Sequence, residues 1–136
     1  MRRSALLVAT TMLLVLVAAG GVALAVTQTC TTNPCEGTSG PDTLYERAVD
    51  GYTGTDTIYG KGADDDIIAT EHEGDTDTLY GGPAVDVLNA QDHDVRDTLN
   101  GGKSFDLCYI DLDTSTGDQD ATTGCENVRV LAIDYE

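Results

Sequence analysis

The apolar positions of this chain fall into two regimes. From Ala5 to Val26 they dominate an uncharged run preceded by Arg2 and Arg3. Beyond it they become sparse and regular, with a single aliphatic side chain recurring two residues after an aspartate in sequence rich in Gly, Asp and Thr. The first pattern predicts a signal peptide over residues 1–25: a basic start, an apolar stretch from Ala5 to Ala19, and Ala23-Leu24-Ala25 as a small-x-small cleavage site. Cleavage is expected after Ala25. A retained membrane anchor is the alternative, since about 20 apolar residues can span a bilayer.

Aligned on the recurring aspartate, the second regime resolves into seven nine-residue units. They are GTSGPDTLY (37–45), GYTGTDTIY (51–59), KGADDDIIA (61–69), HEGDTDTLY (72–80), GGPAVDVLN (81–89), DHDVRDTLN (92–100) and GGKSFDLCY (101–109). Each has a six-residue polar half and a three-residue half of strand composition, so that only the eighth position faces inward. Those inward residues are Leu44, Ile58, Ile68, Leu79, Leu88, Leu99 and Cys108. One unit cannot bury one aliphatic alone, and neighbours must stack into a thin continuous core. The expected fold is therefore all-β: a parallel β-roll, or β-solenoid, with two short strands per turn over residues 37–109. A Cys-containing lead-in (26–36) precedes it, and a small disulfide-tied C-terminal cap (110–136) is expected to cover the open end.

Charge then decides what such a roll must bind. The chain has 24 acidic and 7 basic residues and a formal net charge of −17. No acid lies in residues 1–25, and two of the bases do, so the rest carries −19. That balance excludes nucleic acid and anionic membrane surfaces, which need clustered Lys and Arg. No membrane insertion is expected after signal cleavage. Stacked at about 4.8 Å, the sixth-position aspartates would form like-charged columns, one holding Asp66, Asp86 and Asp106 and the other Asp56, Asp77 and Asp97. Such columns require a cation. A hard ion taking six to eight oxygen ligands, Ca²⁺, suits carboxylates beside exposed loop carbonyls.

The units resemble the hemolysin-type, repeat-in-toxin calcium-binding repeat G-G-x-G-x-D-x-U-x, in which U is a large aliphatic. The resemblance implies a parallel β-roll with Ca²⁺ between successive loops. Its ligands would be the sixth-position carboxylates of Asp42, Asp56, Asp66, Asp77, Asp86, Asp97 and Asp106 and carbonyls of glycine positions, here Gly81, Gly82, Gly101 and Gly102. Gly37 and Gly40 with Asp42, and Gly51 and Gly54 with Asp56, match the first, fourth and sixth positions. The unit beginning at Asp92 has no glycine and places Val95 at the fourth position. A β-branched residue there is strained if the backbone needs positive φ. The edge carrying Asp77 and Asp97 is accordingly expected to bind cations weakly or differently, with Glu71, Glu73, Asp75, Asp92 and Asp94 as less specific recruits.

Export places the four cysteines in an oxidising compartment. Three pairings are open, and the two local bridges, Cys30–Cys35 and Cys108–Cys125, are expected. Zinc is the alternative, but the spacings contain no C-x-x-C pair. Glu36, Glu46, Asp50 and Glu126 read as ordinary solvated charges. Asp111-x-Asp113-x-Ser115 reads as a polar loop and not an EF-hand, since Gly is missing at the sixth loop position and Thr122 stands where a bidentate Glu belongs. His72 and His93 read as exposed loop residues. No catalytic motif is present, and a thin solenoid offers no cleft for paired-carboxylate chemistry, so an enzyme is not expected. The sequence points to a secreted, extracellular calcium-binding protein whose folding depends on Ca²⁺. The alternative is an adhesion or matrix module in which Tyr45, Tyr59, Tyr80 and Tyr109, all at ninth positions, contact a polysaccharide or a cell-surface protein.

Overall fold

The computed structural model describes residues 24–47, 54–70 and 74–134. The body of the expected signal peptide, with Asp50, Gly51, Glu71, His72 and Glu73, lies outside the described residues. Among the described residues eleven short strands alternate between two sheets. The first sheet holds β1 (Thr27–Thr29), β3 (Thr43–Tyr45), β5 (Asp66–Ile68), β7 (Val87–Asn89), β9 (Leu107–Asp113) and β11 (Asn127–Ile133), in that order. The second holds β2 (Cys35–Glu36), β4 (Thr57–Tyr59), β6 (Thr78–Pro83), β8 (Thr98–Lys103) and β10 (Ala121–Thr123). Every strand pairing in both sheets is parallel, because each strand recurs one full turn later. This is the parallel solenoid with two strands per turn that the periodicity predicts.

The strands are short because only their central residue has somewhere to go. Leu44, Ile67, Leu88 and Cys108 from the first sheet face Ile58, Leu79 and Leu99 from the second, and all are fully buried. The flanking positions alternate outward, as the twofold period of a strand dictates. One position in the repeat alignment is corrected here. Ile67, not Ile68, points into the core, since Ile67 pairs with Leu44 and Leu88 while Ile68 aligns with Tyr45 and Asn89. The third unit therefore runs Gly60 to Ile68, and its sixth residue is Asp65. Asp66 is an exposed strand residue aligned with Thr43 and Val87, so it does not stand in the aspartate column. The triple Asp64-Asp65-Asp66 leaves the register ambiguous in sequence; in the fold Asp65, Ile67 and Ala69 face inward together, with Ile67 between Leu44 and Leu88.

The two edges of the coil differ. On one, the short edge, the chain returns from the second sheet to the first through 37–42, 60–65, 84–86 and 104–106; on the other, the long edge, 11, 9 and 8 residues of sequence separate β3 from β4, β5 from β6 and β7 from β8. On the short edge the second and fourth positions of three consecutive units take positive φ, including Gly82 (119°), Gly102 (108°), Ala84 (97°) and Ser104 (115°). A side chain at Gly102 would strike the Gly82 carbonyl oxygen, which explains glycine there. On the long edge Val95 does not take positive φ; His93 does, at 78°. The strain foreseen at Val95 is absent because the loop turns two residues earlier.

Both disulfides are the local ones, Cys30–Cys35 and Cys108–Cys125. The first closes a loop between β1 and β2 at the start of the coil. The second ties β9 to the segment before β11. Residues 110–133 add one more coil of backbone, with β10 on β8 and β11 on β9. Its terminal strand leaves Val128, Val130 and Leu131 exposed. Asp113 closes the loop that follows β9, accepting hydrogen bonds from the hydroxyls of Ser115 (2.7 Å) and Thr116 (2.8 Å). Its carboxylate is thus committed to a turn, as the polar-loop reading expects.

Candidate metal centre

Each edge carries a column of carboxylates, and hydrogen bonding explains why they stack. On the short edge the N–H of Asp42 donates to Asp65 Oδ1, that of Asp65 to Asp86 Oδ1 and that of Asp86 to Asp106 Oδ1, each at 2.8 Å. Asp106 continues the series to Glu126 Oε2 at 2.9 Å. On the long edge Asp56 donates to Asp77 Oδ1 (2.7 Å), Asp77 to Asp97 Oδ1 (2.6 Å) and Asp97 to Asp120 Oδ1 (3.0 Å). Each carboxylate thereby caps a backbone N–H that enters a strand from a tight loop, a donor that burial would otherwise leave unsatisfied. One oxygen of the sixth aspartate is thus a structural acceptor before any metal is considered.

The other oxygen is left over. Oδ2 of Asp65, Asp86 and Asp106 on the short edge, and of Asp77 and Asp97 on the long edge, is buried without a hydrogen-bond partner. An unpartnered buried carboxylate oxygen is costly, so it calls for a proton or a cation. Burial pushes the Asp97 carboxyl up from 3.8 to about 9, with the neighbouring charges of Asp92, Asp120 and Asp94 adding to the effect and the Asp77 N–H opposing it. Burial likewise raises Asp86 and Asp92 to about 7 and Asp65 and Asp120 to about 6. Asp77 is raised by burial too, and the neighbouring Glu46 carboxyl, which can partner it only when one of the two holds a proton, opposes the shift. A carboxyl–carboxyl hydrogen bond needs one shared proton, which a cation replaces.

The long edge gathers further acids around its column. Among the described residues three triads bring carboxylate oxygens within 4.8 Å of one another: Glu46, Asp75 and Asp77; Asp75, Asp92 and Asp94; and Asp94, Asp97 and Asp120. All seven residues are buried. Loop geometry puts them there. Asp94 accepts the Gly74 N–H at 2.6 Å and the Arg96 N–H at 3.0 Å, which holds it between successive loops. Asp92 accepts the Asp94 N–H at 3.0 Å. At the start of the same column the chain supplies its own cation, for Arg47 Nη2 lies 2.7 Å from Asp56 Oδ1. Asp77, Asp97 and Asp120 stand one, two and three turns further along.

No family model, curated protein or solved structure matches this chain. The site therefore rests on its own geometry.

The structure places Asp86 and Asp106 in the short-edge column and Asp56, Asp77 and Asp97 in the long-edge column, as the repeat predicts, and adds Asp42 at the head of the short-edge column. Asp66 gives way to Asp65. Gly81 and Gly101 pack against the Asp86 and Asp106 carboxylates, where a side chain would not fit. The Gly81 carbonyl also accepts the Lys61 N–H at 3.1 Å. The glycine-poor edge, expected to be the weaker one, is where all three triads gather.

One acid read as a solvated charge is not. Glu46 is only 2% exposed. It follows Leu44 by two residues, the place that Ala69, Ala90 and Ile110 hold after Ile67, Leu88 and Cys108. Glu126 is exposed but ends the short-edge ladder. Glu36 does behave as a surface charge, pairing with Lys61 at 2.8 Å. Asp120 was readable in principle, because Ala121-Thr122-Thr123 after it repeats the strand half of a unit.

Proposed function

We propose that this chain is a secreted calcium-binding β-roll of the repeat-in-toxin kind, a non-enzymatic module whose folded state is held by Ca²⁺. The observation that carries the reading is the buried, unpartnered Oδ2 of Asp77 and Asp97 inside carboxylate triads. Among the described residues the donor set is all oxygen, since the four cysteines are in disulfides and His93 is exposed. That favours a hard cation over zinc. Irregular loops that supply several carboxylates suit the larger, geometrically tolerant Ca²⁺ better than Mg²⁺, which keeps its waters and demands an octahedron. A depression of about 620 Å³, lined in part by Asp94, Arg96, Asp113 and Asp118, borders one member of the third triad.

The two disulfides fit an oxidising, extracellular location. Cleavage of a signal peptide after Ala25 would also have a structural consequence, because the Val26 nitrogen lies 2.8 Å from Asp42 Oδ1. The new α-ammonium would then head the short-edge column, as Arg47 heads the long one. The adhesion reading keeps one observation in its favour: Tyr59 and Tyr80 stack on the outer face of the second sheet with ring centroids 4.8 Å apart.

Calorimetric titration of the metal-free, disulfide-intact chain tests the calcium reading. Saturable binding with release of protons is expected, at affinities of about 10⁻⁴–10⁻³ M or tighter, with Mg²⁺ much weaker. Absence of binding, or equal binding of both ions, would count against it.

A further inference from the structure

On the long edge the triads are not separate. Asp75 belongs to the first and second, and Asp94 to the second and third, so the three sets contain seven carboxylates and not nine. We propose that they form one connected row of three cation sites, bridged by Asp75 and Asp94, whose filling is cooperative. The inference rests on the calcium reading and states how those sites are coupled.

Charge sets the composition of the row. Three divalent ions bring +6 to seven carboxylates, leaving −1, whereas three monovalent ions would leave −4 in a buried strip. Partial filling is unfavourable for the same reason. With one ion missing, a bridging carboxylate keeps its neighbouring ion yet faces the unneutralised acids of the empty site at close range. Binding at one triad also orders the bridging side chain for the next, so later ions meet less of the ordering cost. Arg47 fixes where the row begins: its guanidinium occupies the Asp56 carboxylate one turn before Asp77. Orphan oxygens on Asp77 and Asp97, each 1% exposed, lie in the first and third triads, so both ends of the row need a ligand.

The test compares calcium stoichiometry in variants of equal charge change. Asp94→Asn removes a bridge and is expected to lose at least one ion more than Asp92→Asn, which belongs to the middle triad alone. Asp66→Asn, outside the row, is expected to lose none. Equal losses for Asp94→Asn and Asp92→Asn would overturn the row while leaving calcium binding in place. Binding by the unaltered chain is expected to be cooperative, and three independent, non-cooperative affinities would overturn it as well. A measurement that needs no variant is luminescence transfer between Tb³⁺ and Eu³⁺ loaded together on the unaltered chain. Efficient transfer is expected between ions that share a carboxylate, and its absence at saturation contradicts the bridge. If the unaltered chain binds no calcium at all, the calcium reading falls and the row falls with it.

Discussion

Ile67→Ala is expected to lower the unfolding free energy by about 2–5 kcal/mol, whereas Ile68→Ala should cost about 1 kcal/mol or less, the usual range away from the core. The difference follows from the thinness of the coil. Ile67 is fully buried between Leu44 and Leu88 of the neighbouring turns, facing the second sheet across a core one residue deep. There is no second layer of side chains to relax into the cavity, and the backbone on either side is held by parallel pairing to the next turn. Ile68 is half-buried on the outer face, beside Tyr45 and Asn89. Denaturant unfolding at fixed calcium measures both. The reverse ranking would restore the register in which Asp66 is the sixth residue and would take Asp65 out of its column.

The second large effect is on pH dependence in the absence of metal. Asp65, Asp120, Asp86, Asp92 and Asp97 have folded-state values from about 6 to about 9 against an ordinary 3.8. Between the ordinary value and these raised ones the folded chain holds more protons than the unfolded chain. Stability must then fall as pH rises, because its slope with pH follows the protons bound by the unfolded state minus those bound by the folded state. Their contribution is complete below about pH 4 and is lost progressively up to about pH 9. Asp113 works in the opposite sense, since the Ser115 and Thr116 hydroxyls and amides hold it below the usual range, so its contribution disappears on acidification. In chelator the melting temperature should therefore decline steadily from mildly acid to alkaline pH. Calcium should flatten or reverse that decline, since it replaces the protons and binds better as they leave. A flat profile in chelator would show that the columns are not short of positive charge.

Much of this architecture is legible in the sequence, because a solenoid repeats one local decision. An aspartate, a β-branched or polar residue, one aliphatic and an outward residue suffice to place Leu44, Ile58, Leu79, Leu88 and Leu99 in a single file. The local disulfides are the pairing that the cysteine spacing favours once export is expected. The parts that were not legible are those in which the repeat is degenerate or in which chain distant in sequence meets. Three consecutive aspartates and two isoleucines hide the register at 64–68. Glu46 has the composition of a surface charge, and only its offset from Leu44 marks it as a core position. The long-edge triads join residues from successive loops whose lengths depart from nine, so no motif spacing announces them. Glycine content pointed to the other edge, because glycine reports backbone conformation and not where carboxylates converge.

The most direct test of the account is the far-UV circular dichroism and thermal melting of the disulfide-intact chain near neutral pH, in chelator and in millimolar Ca²⁺. The account predicts ordered strand signal and a cooperative melt with calcium, and loss of strand signal or a much lower melting temperature in chelator, with Mg²⁺ unable to substitute. The same strand content and the same melting temperature in both conditions would contradict it.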